Sequence, residues 1–91
     1  MAALEKTVQI TNKRGLHARA AAKFVKLVEQ YKADVKVAKD DMAVGGSSIM
    51  GLLMLSASQN TSIRISASGE DAEKVLNELV SLVSRRFDED T

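Results

Sequence analysis

At 91 residues with 45% apolar and 27% charged positions, the chain has the size and balance of one soluble domain with a modest two-layer core. It contains no cysteine and no proline, which excludes disulfides, thiol chemistry and cysteine-held metals, and no apolar run nears the roughly 20 residues of a membrane span. Formal net charge is only +1, too little for a strongly cationic nucleic-acid binder, yet five basic and no acidic residues lie between Lys13 and Lys26 while the tail reads Asp88-Glu89-Asp90.

Residues 4 to 12 alternate, with Leu4, Val8 and Ile10 on one side and Glu5, Thr7, Gln9 and Thr11 on the other, the period of a half-buried strand. A polar loop follows at Asn12-Lys13-Arg14-Gly15. From Ala18 to about Tyr31 the period turns helical: Ala21, Phe24, Val25 and Val28 form one stripe, and the alanines favour helix. A second strand over 33–39 points Val35 and Val37 inward, Asp40-Asp41 supply a hairpin turn, and a short strand covers Met42 to Val44. Gly45-Gly46-Ser47-Ser48 breaks the pattern and offers a serine cap for a short helix over 49–55. That helix is apolar on nearly every side, which admits full burial and an exposed apolar face about equally.

After a polar loop at 56–60, a fourth strand over 61–67 turns Ile63, Ile65 and Ala67 inward. Ser68, with Asp71 three residues on, has the spacing of a capping box. The last helix is predicted to run from there to about Phe87, with Ala72, Val75, Leu76, Leu79 and Val83 as its stripe and Arg85 and Arg86 in its last turn. It reads as packing. The order β-α-β-β-α-β-α, with strands that want one face covered and one wet, implies an α+β open-faced sandwich: a four-stranded antiparallel sheet with three helices on one face. One domain over residues 1–91 is expected. The start Met1-Ala2-Ala3-Leu4-Glu5-Lys6 lacks the pattern of a secretion signal, so a cytoplasmic location is expected.

The single histidine, His17, stands where the first loop gives way to the alanine-rich helix. Imidazole with a pKa near about 6.5 can be neutral and nucleophilic at cellular pH, and the helix start offers unpaired amides and a positive dipole end, a setting suited to phosphate. Gly15, the first turn at Ala18 to Ala20, and Arg19 meet the needs of a histidine that carries a phosphoryl group covalently. On spacing alone, the commoner reading is an ordinary surface or capping residue. Other chemistries fare worse. With one histidine and no cysteine, a metal site would need clustered carboxylates, and none has metal-loop spacing. There is no nucleophile elbow, no G-x-G-x-x-G, and no lysine of the phosphate-loop type after Gly45-Gly46-Ser47-Ser48. The aromatics Phe24, Tyr31 and Phe87 lie on no strand where bases could stack, which argues against RNA binding. A regulatory interaction module, in which the apolar helix and basic patch bind a partner and phosphate switches affinity, stands as the alternative.

Gly15-Leu16-His17-Ala18-Arg19 with the helix after it, and Ser47-Ser48-Ile49-Met50-Gly51-Leu52 some thirty residues on, resemble the two signature regions of HPr, the histidine-containing phosphocarrier family of the bacterial phosphotransferase system. The resemblance covers essentially the whole chain. It implies that His17 accepts phosphate from phosphorylated enzyme I and passes it to a IIA protein or domain. Arg19 would assist the transfer, the first helical turn at Ala18 and Arg19 would bind the phosphate, and no cofactor would be needed. Ser48 resembles a regulatory serine that a bifunctional kinase/phosphorylase modifies in some members. Leu16, Ala18, Ala20, Ile49, Met50 and Leu53 fall on the family's partner surface, which favours exposure of the short helix. No nucleic acid, metal or membrane insertion is implied, and a monomer is expected. The family motif usually has proline where this chain has Ala20. Alanine keeps the helix and adds a donor, so the departure bears on partner preference.

Overall fold

The computed structural model describes residues 3–91. Met1 and Ala2, the beginning of the segment that lacks a secretion-signal pattern and of the expected domain, lie outside the described residues. The elements are β1 (Leu4–Gln9), α1 (Ala18–Val28), β2 (Asp34–Lys39), β3 (Met42–Gly45), α2 (Ile49–Met54), β4 (Ser62–Ser68) and α3 (Ala72–Ser84), followed by a tight turn at Arg86–Asp88. The strands form one antiparallel sheet in the order β1-β4-β2-β3. No helix of the described residues is long and apolar enough to cross a membrane.

Strand β4 is the spine of the sheet because it alone pairs with two strands that are not its chain neighbours: Ile65 faces Lys6 on β1 and Val37 on β2. Its alternation is the cleanest in the chain, and its inward residues Ile63, Ile65 and Ala67 are no more than 1% exposed. Helices α1 and α3 cover that face, with Ala21, Phe24, Val25 and Val28 from one and Val75, Leu76, Leu79 and Val83 from the other, all buried. The opposite face carries Glu5, Thr7, Lys36, Ser62 and Arg64, all exposed, as an open-faced sandwich requires.

Several boundaries differ from the periodic reading. Strand β1 ends at Gln9, although Ile10 is fully buried and still exchanges backbone bonds with Asn60 and Thr61 at 2.7 and 2.8 Å. Beyond it the chain dives inward at Asn12. Leu4 is exposed because β1 is an edge strand, and Lys6, on the helix-facing side, reaches Asn77 of α3 at 3.3 Å with its ammonium. Helix α1 ends at Val28, and two shorter bonds, from Gln30 to Leu27 and from Tyr31 to Val28, tighten the exit.

Ser68 does not cap α3. It is the last residue of β4, and the cap position is Asp71, whose side chain makes no capping bond. Asp71 Oδ2 instead accepts from the Lys32 amide at 2.8 Å, tying the α1–β2 connection to the start of α3. The capping-box spacing was outweighed by strand pairing, since Ser68 faces Asp34 across the β2–β4 ladder. Helix α3 also stops early, at Ser84. Phe87 lies beyond it in a turn whose three residues Arg86, Phe87 and Asp88 all have positive φ (59, 54 and 63°).

Because Ile65 is fully buried on the central strand, with a strand on either side, Ile65→Ala is expected to lower unfolding free energy by about 2–5 kcal/mol. Urea unfolding checks this as a lower midpoint with an unchanged slope.

Candidate functional site

The loop before α1 is pinned from two sides. Gly15 takes φ of +69°, and a Cβ there would stand 2.6 Å from the Ala57 carbonyl oxygen, so only glycine fits the close approach. That approach lets the Leu16 amide donate to Ala57 at 2.8 Å. From the other side, the Lys13 amide donates to the Thr91 carbonyl at 3.1 Å, which brings the end of the chain against the loop.

His17 is the N-cap residue of α1, with extended backbone (φ −81°, ψ 179°), and its carbonyl accepts the first intrahelical bond, from Ala21, at 2.8 Å. Its side chain makes no capping bond. The reading of a histidine that merely caps a helix is therefore excluded by geometry. The amides of Ala18, Arg19 and Ala20 precede that first bond and have no intrahelical acceptor. Beside the imidazole lies a shallow cleft of about 230 Å³ lined by Arg14, Leu16, His17, Ser56, Ala57 and Ser58. Arg14 and Arg19 are both exposed, and among the described residues neither forms an ion pair.

The imidazole has one side-chain partner. Its Nε2 meets Glu89 Oε2, and the two side chains are 15% and 16% exposed. The other carboxylate oxygen, Oε1, accepts from Asn12 Nδ2 at 2.9 Å, and the same Nδ2 donates to the Gly15 carbonyl at 2.8 Å. Asn12 is fully buried, the one buried polar side chain among the described residues, and its Oδ1 has no partner. Burial pushes the Glu89 carboxyl up, but the hydrogen bonds from Asn12 and His17, with the charges of His17 and Arg14, outweigh it and hold the group below its ordinary value.

The second candidate region lies on α2, which packs beside α1. Ser48 is exposed at the N-cap, and its Oγ accepts from the Gly51 amide at 2.9 Å. The helix is amphipathic after all: Leu52 is fully buried and Leu55 is 4% exposed, whereas Ile49, Met50 and Met54 are 40, 70 and 62% exposed. A groove of about 630 Å³ runs from its far end along the β2–β3 hairpin, lined by Met42, Met54 and Leu55 among others.

Of the residues placed on a partner surface by sequence, Ala18, Ile49 and Met50 are exposed and Leu53 is half-buried. Leu16 and Ala20 are corrected: at 5% and 0% exposure both belong to the core, where they offer a partner no side chain. Ala20 is thus enclosed beneath the site. Three contributors were missed. Met54 follows Met50 by four residues and could have been placed on the same stripe. Glu89 had a weaker signal, the acidic tail opposite a basic stretch. Asn12 had none beyond its place in a polar loop.

Residues 4–85 match the family model described as "PTS HPr component phosphorylation site". The phosphocarrier protein HPr of Pseudomonas aeruginosa is 47% identical over 90 residues, covering 98% of each chain, and the phosphocarrier protein NPr of Shewanella violacea is 37% identical, again covering 98% of each. The crystal structure of HPr-C-His from Thermoanaerobacter tengcongensis superposes with a TM-score of 0.92 at 40% identity, covering 97% of this chain and 99% of that one. The chain belongs to the HPr family, the phosphocarriers of the phosphotransferase system.

A depressed carboxyl pKa has a stability consequence of fixed sign. Below the ordinary glutamate value the unfolded chain binds the proton that native Glu89 resists, so the stabilisation is present above that value and lost as pH falls through the lowered one. The difference in unfolding free energy between wild type and Glu89→Gln is expected to shrink as the pH falls below about 4.3. Urea titrations from neutral to acid pH measure it.

Proposed function

We propose that His17 accepts a phosphoryl group from phosphorylated enzyme I and donates it to a IIA protein or domain, with the whole chain acting as a single, monomeric, cytoplasmic carrier domain. The observation that carries this reading is an imidazole at a helix start whose side chain caps nothing, beside amides with no intrahelical acceptor. Phosphoryl transfer asks little covalent chemistry of a protein, and positioning with charge compensation supplies most of the catalysis. The amides of Ala18 and Arg19 would face the phosphate oxygens, and the Arg19 guanidinium, which has no acid to answer to, would offset the charge that builds during transfer. The protein is itself the phosphorylated intermediate, and no cofactor takes part.

Docking uses Ala18 on α1 with Ile49, Met50 and Leu53 on α2, an apolar surface that a small monomer does not leave bare without use. Ser48 borders that surface. A phosphate added there by an HPr kinase/phosphorylase would place about two negative charges beside Ile49 and Met50 and oppose docking without unfolding the helix it caps.

Incubation with phosphoenolpyruvate and enzyme I is expected to give an acid-labile, base-stable phosphoprotein, and His17→Ala is expected to give none. Retention of that label in the variant would end the reading. Ser48→Asp keeps a side chain competent to cap while adding charge. It is expected to slow phosphoryl acceptance by roughly 5- to 30-fold, the equivalent of about 1–2 kcal/mol of docking energy, with a thermal midpoint close to wild type.

A further inference from the structure

The tail beyond α3 is tied back to the domain at several points. Phe87 is fully buried and its carbonyl accepts from Lys23 Nζ at 2.7 Å, the Asp88 and Glu89 amides donate back to Arg85 and Arg86 at 3.0 Å each, and the Thr91 carbonyl receives the Lys13 amide. The product of this anchoring is one carboxylate set against one imidazole. We propose that Glu89 is a positioning residue for His17: its carboxylate, fixed by Asn12, holds the proton on Nε2 and so keeps Nδ1 free of hydrogen and its lone pair available. This rests on the reading of His17 as a carrier.

The argument is one of donors and acceptors. An ionised carboxylate only accepts, so the Nε2 it meets must carry hydrogen, and in a neutral ring the lone pair then lies on Nδ1. Asn12 fixes the carboxylate in turn. Its amide nitrogen donates to both Glu89 Oε1 and the Gly15 carbonyl, and turning the amide over would set its oxygen against two acceptors. The unpartnered Oδ1 of this fully buried residue is the cost of that orientation.

In the transfer, the Nδ1 lone pair forms the bond to phosphorus while the donor's own bond to phosphorus breaks, its electron pair staying with the donor. His17 loses no proton. The ring becomes a phosphorylated imidazolium whose positive charge faces the Glu89 carboxylate. In the onward step the electron pair of the N–P bond returns to Nδ1, and a neutral imidazole still protonated at Nε2 departs. Without the carboxylate the ring is free to turn and to exchange its proton between nitrogens, and a fraction of molecules present the wrong atom.

Two substitutions separate positioning from mere packing. Glu89→Ala removes the partner. Glu89→Gln keeps shape and hydrogen bonding, but the Asn12 donor claims the amide oxygen, leaving the NH₂ group to donate to Nε2 and drive the proton to Nδ1. An amide in place of a carboxylate behind a working histidine is costly for this reason in the serine-protease triad. Nitrogen-15 NMR of unphosphorylated protein should show the Nε2–H form in wild type and the Nδ1–H form in Glu89→Gln. Phosphoryl acceptance should fall by about 10-fold in Glu89→Ala and by on the order of 100-fold or more in Glu89→Gln. An Nδ1–H ring in wild type, an unchanged tautomer in Glu89→Gln, or a glutamine milder than alanine would overturn the proposal. The tautomer is read without phosphate, so it tests Glu89 even if His17 were to accept none, and the wild-type spectrum decides should a variant not fold.

Discussion

The site hangs on a buried amide. Asn12 sits where β1 has ended and α1 has not begun, and its one donating nitrogen closes the loop on itself at Gly15 and grips the tail at Glu89. A polar group with no access to water must be paired or it costs stability, about 1–3 kcal/mol for each donor left alone. The loop therefore cannot drift from the tail without exposing that cost, and the tail cannot drift from the imidazole. Gly15 adds the other constraint, since its contact with Ala57 fixes the loop's height against the segment leading into β4. His17 is placed by these two ties before α1 contributes anything, and α1 then supplies the amides.

The second half of the surface follows from how little of α2 the core can hold. The helix has only six residues. Gly51 lets it lie close against β3, where a Cβ would be 3.0 Å from Val44 Cβ, and that pose sends Leu52 and Leu55 inward. The remaining apolar side chains have nowhere to go but out. Met50 and Met54 are long, flexible and polarizable, and so can adapt their shape to what packs on them. The same residues on a wider helix in a larger domain would be core.

How much was legible tracks how local the cause was. Strands and helices were readable because alternation and helical stripes are set by a residue and its near neighbours, and the inward residues of β2 and β4 and the stripes of α1 and α3 all lie where periodicity put them. Ser68 was misread because a cap signal is weak beside a ladder that runs the length of β4. His17 and Ser48 stand out in the sequence through their motifs, and both lie at junctions between elements, as the N-cap residues of α1 and α2. Leu16 and Ala20 were misjudged because adjacency to His17 along the chain says nothing of which way a side chain points once the loop docks on Ala57. Glu89 was out of reach: it lies 72 residues from His17, and nothing in a run of three acids says which one turns back.

The turn that makes Glu89 turn back is itself unfavourable. Three consecutive non-glycine residues, Arg86, Phe87 and Asp88, hold left-handed φ, at about 1–2 kcal/mol each for a residue with a Cβ. Burial of Phe87 returns up to about 3 kcal/mol, and a charge-assisted bond such as that from Lys23 to the Phe87 carbonyl contributes about 1.5–3 kcal/mol. These terms roughly cancel. The tail is held by little more than its own anchors, and the pairing of Glu89 with His17 decides the balance. Any change of charge at His17 acts on that carboxylate and, through it, on the conformation of the last residues.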